Sequence, residues 1–160
     1  MKLVIGADHA GFPQKHLVID ALRSWGHDVL DVGAHNQRPV DFPDVALKLS
    51  RAILDGRADR GIIVCGTGIG ASMATNKIRG IRGALAHDTY SAHQAVEHDN
   101  ANVLCIGAQV VGPKLMVELL RVFVDARWLP DEEFHRRVDK LERLESMVLG
   151  PTAKPRVAKG

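Results

Sequence analysis

Two stretches of this chain combine acid, imidazole, thiol and glycine in a way that can hold an anion and move a proton. They are Gly6-Ala7-Asp8-His9-Ala10-Gly11 and Cys65-Gly66-Thr67-Gly68-Ile69-Gly70. In the second, Gly66, Gly68 and Gly70 let the backbone turn tightly and approach a ligand closely. A helix beginning there offers free N–H groups and the positive end of its dipole to an anion. Cys65 stands at the head of that loop, where such a field lowers a thiol's pKa and raises its thiolate fraction. A thiolate beside an anion hole suits removal of a proton next to a carbonyl, and the hole would stabilise the resulting enediolate. The Thr67 hydroxyl can donate to the same oxygens. Cys105, inside an apolar strand, reads as structural; Cys65, at a strand–loop junction, reads as functional.

Asp8 and His9 set a carboxyl beside an imidazole. Asp8 can also cap the helix that follows, and the two roles are compatible. His98, in Glu97-His98-Asp99-Asn100-Ala101-Asn102, falls at a helix C-terminus, where a cationic histidine is favoured. A catalytic and a surface role read equally well for it. Arg136-Arg137 could hold a phosphate or form a solvated basic face, the usual outcome for adjacent arginines. His93 and His98 lack the helical spacing that aligns two metal ligands. No Cys–His pattern resembles a zinc site, so neither metal nor cofactor is expected.

Five short apolar runs carry these loops, at residues 2–5, 28–32, 61–64, 83–86 and 103–106. Their near-continuous Val, Ile, Leu and Ala content predicts strands buried on both faces. Helical periodicity fills the gaps: Leu17, Val18, Ala21, Leu22 and Trp25; Val45, Ala46, Leu49, Ala52 and Ile53; Leu115, Met116, Leu119, Leu120 and Phe123. Shorter helices are expected at 69–78 and 91–98, and Gly26, Gly56 and Gly80 sit where C-caps are wanted. The alternation predicts a five-stranded parallel, doubly wound α/β sheet with helices on both faces, Rossmann-like or flavodoxin-like, in the order 2-1-3-4-5. Ligands then bind beyond the carboxyl ends of strands one and three, where both glycine loops lie. His98 precedes strand five, far from its own switch point, so a catalytic His98 would serve a neighbouring subunit. An extra C-terminal helix (Phe134, Val138, Leu141, Leu144, Val148) follows; it would pack on a partner subunit or cover the sheet's edge, and the partner is preferred. Residues 1–149 are expected to form one domain and 150–160 a basic disordered tail.

Composition agrees with a single globular domain. The chain has 160 residues, with 46% hydrophobic and 25% charged, enough for a real core. A net charge of +2 is too small for a nucleic-acid footprint. Two cysteines make no disulfide scaffold. No apolar stretch approaches the ~20 residues that span a bilayer, and the start resembles no signal peptide. The expected location is the cytoplasm, with no membrane or nucleic-acid partner.

These motifs, in this order, resemble the type B ribose-5-phosphate isomerase family, which also holds the galactose-6-phosphate isomerase subunits. The likeness runs from about residue 2 to 148. Besides the two loops it is carried by Asp41-Phe42-Pro43, Asn76-Lys77, Gly80-Ile81-Arg82, His98 through Asn102, and Gly107-Ala108. The resemblance implies interconversion of ribose 5-phosphate and ribulose 5-phosphate, in a homodimer or dimer of dimers with shared active sites. It implies Cys65 as the base between C1 and C2, with Thr67 and the amides of Gly66, Gly68 and Gly70 holding the enediolate. Asp8 and His98 would open the furanose ring, His98 from the partner. His9, Arg136 and Arg137 would take the phosphate, and Asp99 would lie in the substrate site.

The chain also departs from the family's usual pattern. Asp99 stands where Asn is frequent, Gln109 and Phe134 where arginines are, and Phe42 where Tyr is. A charge at Asp99 would repel an enediolate unless protonated or turned away. Losing two arginines removes charge-assisted phosphate contacts, which leaves the chemistry but opens the substrate: allose 6-phosphate, a tetrulose phosphate or a free aldose. Other classes fit less well. A dinucleotide fold needs G-x-G-x-x-G on its first strand; a redox protein would show C-x-x-C; a non-catalytic sugar-phosphate sensor would not need Cys65.

Overall fold

The computed structural model describes residues 1–147. The expected domain end at 149, Val148 and the basic tail lie outside the described residues. Strand β1 (Lys2–Ala7) leads into helix α1 (Phe12–Ser24), β2 (Asp28–Asp31) and α2 (Phe42–Leu54). Strand β3 (Arg60–Cys65), α3 (Ile69–Thr75), β4 (Gly83–Leu85) and α4 (Thr89–Glu97) follow, then β5 (Val103–Gly107), α5 (Pro113–Asp125) and α6 (Glu132–Ser146). Prolines open α1, α2 and α5, where a missing N–H costs nothing. Gly26 and Gly56 take positive φ directly after the C-caps of α1 and α2, the left-handed step that ends a helix. Gly80 also has positive φ but lies four residues beyond the α3 C-cap, Asn76, so it does not end a helix as expected.

All pairings are parallel, and the order is β2-β1-β3-β5-β4. The expected order 2-1-3-4-5 is therefore wrong at one edge. Strand β5 is buried at every residue and sits inside, whereas β4 has three half-exposed or exposed residues and takes the rim. A continuous apolar strand gains most from burial on both faces, and a short one makes the safer edge. Helix α3 also ends earlier than expected, at Thr75, where Asn76 hydrogen-bonds both backbone groups of Gly83.

The sheet divides two cores. Leu3, Ile5, Val18, Leu22, Leu104 and Phe123 pack on the face of α1, α4 and α5. Val4, Ala46, Leu49, Ile63 and Cys105 pack on that of α2 and α3. No helix among the described residues is long and apolar enough to cross a membrane.

Candidate active site

Strands β1 and β3 end side by side, with Ala7 paired to Val64. The Asp8 N–H donates to the Val64 carbonyl (3.2 Å). A Cβ on Gly11 would overlap that carbonyl, so only glycine lets the β1–α1 loop come so close. The Asp8 carboxylate accepts the Ala10 and Gly11 amides at 2.9 and 2.8 Å. It shapes the turn into α1 instead of capping it, since the N-cap is Gly11 with no side-chain bond. Asp8 is buried.

Next to it, Cys65 is 8% exposed. Its thiol pKa is raised, first by burial, then by a hydrogen bond to the Asp8 carboxylate and by that group's charge. The amides of Gly68 and Gly66 pull the other way. The expected lowering by a helix N-terminus is thus corrected. Helix α3 has only seven residues, and two amides do not outweigh desolvation beside a carboxylate. The same amides nevertheless favour the anion, which is what an anion hole requires. Gly68 makes the turn with φ 79°. The Thr67 hydroxyl oxygen accepts the Ile69 amide (3.4 Å) and keeps its proton to donate. Phe42 lies over Gly70, where a Cβ would stand 3.0 Å from its ring.

His9 is exposed, and its Nδ1 accepts the Val40 amide (3.4 Å). That links it to the 33–41 loop, which borders a cavity of about 460 Å³ lined by Gly33, Asn36, Val40 and Asp41 among others. The Gln109 amide donates to the Gly66 carbonyl (3.0 Å), and its side-chain oxygen lies beside Gly66. Asp8, His9, Cys65, Gly66, Thr67, Gly68 and Gly70 therefore form one cluster, joined by Gln109.

The remaining candidates sit elsewhere. Cys65 is in register with Gly107 and Gly61 with Val103. His98 precedes Val103, so at least four strand residues, about 13 Å, separate it from Cys65. Its ring stacks on Phe134 of α6, with centroids 4.0 Å apart and planes at 16°. Arg136 and Arg137 are on the same exposed helix, Arg137 paired with Glu133. Asp99 lines a groove of about 500 Å³ between α6 and the β4 edge, with Arg82, Leu141 and Glu145. Within one protomer the structure makes two clusters, at opposite ends of β5.

Two residues that sequence reasoning passed over support the first cluster. Lys15 is fully buried and donates to both Asp31 oxygens (2.9 and 2.7 Å) and to the Ala34 carbonyl (2.6 Å). It shares the buried face of α1 with Val18, Ile19 and Leu22; a charge on an apolar helical stripe is the signal that it must be paired. His87 follows β4 directly, at the same sheet end as Asp8 and Cys65, and accepts the Gly107 amide (3.0 Å).

The family model described as Ribose/Galactose Isomerase matches residues 3–141. The chain belongs to this family. A D-erythrulose-4-phosphate isomerase of Pectobacterium atrosepticum is 42% identical over 130 residues, 80% of this chain and 85% of that protein. The ribose-5-phosphate isomerase B of Escherichia coli is 40% identical over 128 residues, 80% and 83% of the two chains. A solved ribose-5-phosphate isomerase B of Clostridium thermocellum superposes with TM-score 0.89 at 39% identity, covering 91% of this chain and 98% of that one. The protein is thus a sugar-phosphate isomerase of the aldose–ketose type, and the cluster at the ends of β1 and β3 is its candidate active site.

Proposed function

We propose that the protein interconverts ribose 5-phosphate and ribulose 5-phosphate. It would act as a cytoplasmic homodimer or dimer of dimers, with each active site shared between two protomers. The observation that carries this reading is that Asp8 and Cys65 meet at the paired ends of β1 and β3, with the Thr67–Gly68 turn opening directly after the thiol. The two clusters of one protomer lie at opposite sheet ends, so the partner's His98, Arg136 and Arg137 complete the site. Ile69, Met73, Leu85 and Tyr90 are exposed close to the loop, and an apolar rim of this kind fits burial against a second copy.

The chemistry follows from the proton inventory. The Asp8 carboxylate takes the anomeric hydroxyl proton while the partner's His98 gives one to the ring oxygen, and the furanose opens. Protonated Asp8 no longer opposes a thiolate, so after ring opening the Cys65 thiol gives its proton to solvent water, and it regains one when the cycle ends. The thiolate removes the C2 proton and the electron pair moves onto O1. The Thr67 hydroxyl and the loop amides stabilise that enediolate oxygen. The thiol returns the proton to C1, the hydroxyl proton passes from O2 to O1, and the ketose carbonyl forms at C2. His9, Arg136 and Arg137 bind the phosphate.

One observation favours a second substrate. Gln109 puts a neutral carboxamide at the edge of Gly66, and a relative at 42% identity is named for erythrulose 4-phosphate. The deciding experiment is a turnover panel on chelator-treated protein with ribose 5-phosphate, erythrulose 4-phosphate, allose 6-phosphate and unphosphorylated ribose. Preference for ribose 5-phosphate supports the proposal, and preference for the tetrulose phosphate replaces its substrate. Sugar-phosphate binding without turnover of any would leave a sensor. In Cys65→Ala turnover should vanish while phosphate-sugar binding survives.

A further inference from the structure

Strand β4 stops one step short of its neighbour. It pairs with β5 only from Gly83 to Leu85, and the Ala86 amide makes a last, longer bond to the Cys105 carbonyl (3.3 Å). The next inward amide, that of Gly107, would be left without a backbone acceptor at the rim of the sheet. The His87 ring fills the place, with Nε2 3.0 Å from the Gly107 nitrogen. To accept this N–H the ring must present the Nε2 lone pair, as the tautomer with its hydrogen on Nδ1 does.

Gly107 is also where the β3–α3 loop rests. A Cβ there would stand 2.7 Å from both the carbonyl carbon and the oxygen of Thr67. A Cβ on Gly68 would meet the Gly107 nitrogen at 3.2 Å and the Ile106 carbonyl carbon at 3.1 Å. Beyond it, the Ala108 amide donates to the Cys65 carbonyl (2.8 Å) and that of Gln109 to the Gly66 carbonyl (3.0 Å). The end of β5 is therefore the floor under Thr67 and Gly68, and His87 is the side chain that fastens it.

We propose that His87 is a positioning residue: by accepting the Gly107 amide it holds the terminus of β5 against the anion-binding loop of Cys65, Thr67 and Gly68. The inference rests on the proposed role of that loop in isomerisation. His87 touches none of the reacting atoms and acts through Gly107.

The test compares three variants. His87→Leu keeps the bulk and removes the acceptor; His87→Asn keeps polarity but lacks reach; His87→Gln can present an oxygen where Nε2 stood. With ribose 5-phosphate as substrate, kcat should fall about tenfold in the Leu and Asn variants, with KM within about twofold, since a shifted loop costs the transition state more than the ground state. The Gln variant should return to within about threefold of the parent, as one neutral acceptor replaces another. Amide exchange followed by NMR should show Gly107, Ala108 and Gln109, whose amides bond His87 and the Cys65 and Gly66 carbonyls, protected in the parent and the Gln variant and exposed in the other two. Parental kcat in the Leu and Asn variants, or no rescue by Gln, overturns the proposal. If the parent turns over no sugar phosphate, the functional reading fails alone, and amide exchange still decides: unchanged protection of Gly107, Ala108 and Gln109 in the Leu and Asn variants overturns the positioning role.

Discussion

Replacing Gly107 by alanine should damage catalysis far more than stability. The new methyl would start 2.7 Å from the Thr67 carbonyl carbon and oxygen. Comfortable contact needs about 3.5 Å, so the β3–α3 loop must retreat by roughly 0.8 Å. Forcing one carbon into a packed site costs about 2 kcal/mol. The unfolded chain loses entropy with the same change, which offsets about 0.7 kcal/mol. The net is about 1.3 kcal/mol, or about 4 °C in Tm for a chain of this size. Displacement of Thr67 and the neighbouring amides by most of an ångström should lower kcat about fiftyfold, because misplacing catalytic groups by 1 Å costs on the order of a hundredfold. Circular-dichroism melting and ketose formation from ribose 5-phosphate measure the two effects. Gly112→Ala is the control: it has an ordinary φ of −77° and nothing within 4 Å of the new atom. A Gly107→Ala enzyme with kcat within threefold of the parent would refute the reasoning, whatever its Tm.

Three further outcomes are expected. Mixing inactive Cys65→Ala and His98→Ala proteins should restore about one quarter of parental activity, since half of randomly mixed dimers carry one intact site of two; no recovery would mean that sites are not shared. The raised thiol pKa of Cys65 places the basic limb of the alkylation rate by iodoacetamide above the ordinary thiol value. In Asp8→Asn the limb should move down, and an unmoved limb would discount the carboxylate. For stability the sign is fixed by the folded state holding its proton more tightly: the contribution is full below the unfolded thiol pKa and is lost as pH rises towards the folded one. Lys15→Met should cost about 2 kcal/mol, less than a fully buried pair, because Asp31 retains access to water. A chemical melt unchanged within error would show that Lys15 does not hold the 33–41 loop.

How much of this was legible in the sequence depends on the length scale of the signal. Cys65 and Asp8 could be found together because both follow apolar runs that had to be neighbours at a switch point. Strand order was missed although a cue existed: Val103-Leu104-Cys105-Ile106-Gly107 is longer and more apolar than Gly83-Ala84-Leu85, which argues for the inner position. The Cys65 pKa could not be read, because it depends on the distance to a carboxylate 57 residues away in sequence (65 minus 8). A local rule about helix ends gave the opposite sign. Phe134 stood out as a missing arginine and as one position of the last helix's apolar stripe; that its ring would cover His98 requires knowing where α6 returns. Asn76 and Asn102, parts of the family-like motifs, turn out to pin backbone: Asn76 holds Gly83, and Asn102 bonds the Arg82 amide and the Gly80 carbonyl.

Helix α6 is attached lightly. Among the described residues it buries Val138 alone, and its further ties include the Phe134–His98 and Trp128–His135 stacks, the Glu142–Arg82 pair (3.7 Å) and the Glu145 bond to the Gly80 amide (3.0 Å). In an isolated protomer such a helix is a separate cooperative unit that opens well below the global unfolding energy. Salt weakens its ionic tie while leaving the two sheet-facing cores intact. Warming or high ionic strength should therefore strip Phe134, Arg136 and Arg137 from the molecule before the sheet melts. On the proposed reading, in which α6 lends Arg136 and Arg137 to a neighbour's site, a protomer released from its partner then loses that contribution below the melting of its fold, and lengthening the apolar contact of α6 would delay the first without touching the second.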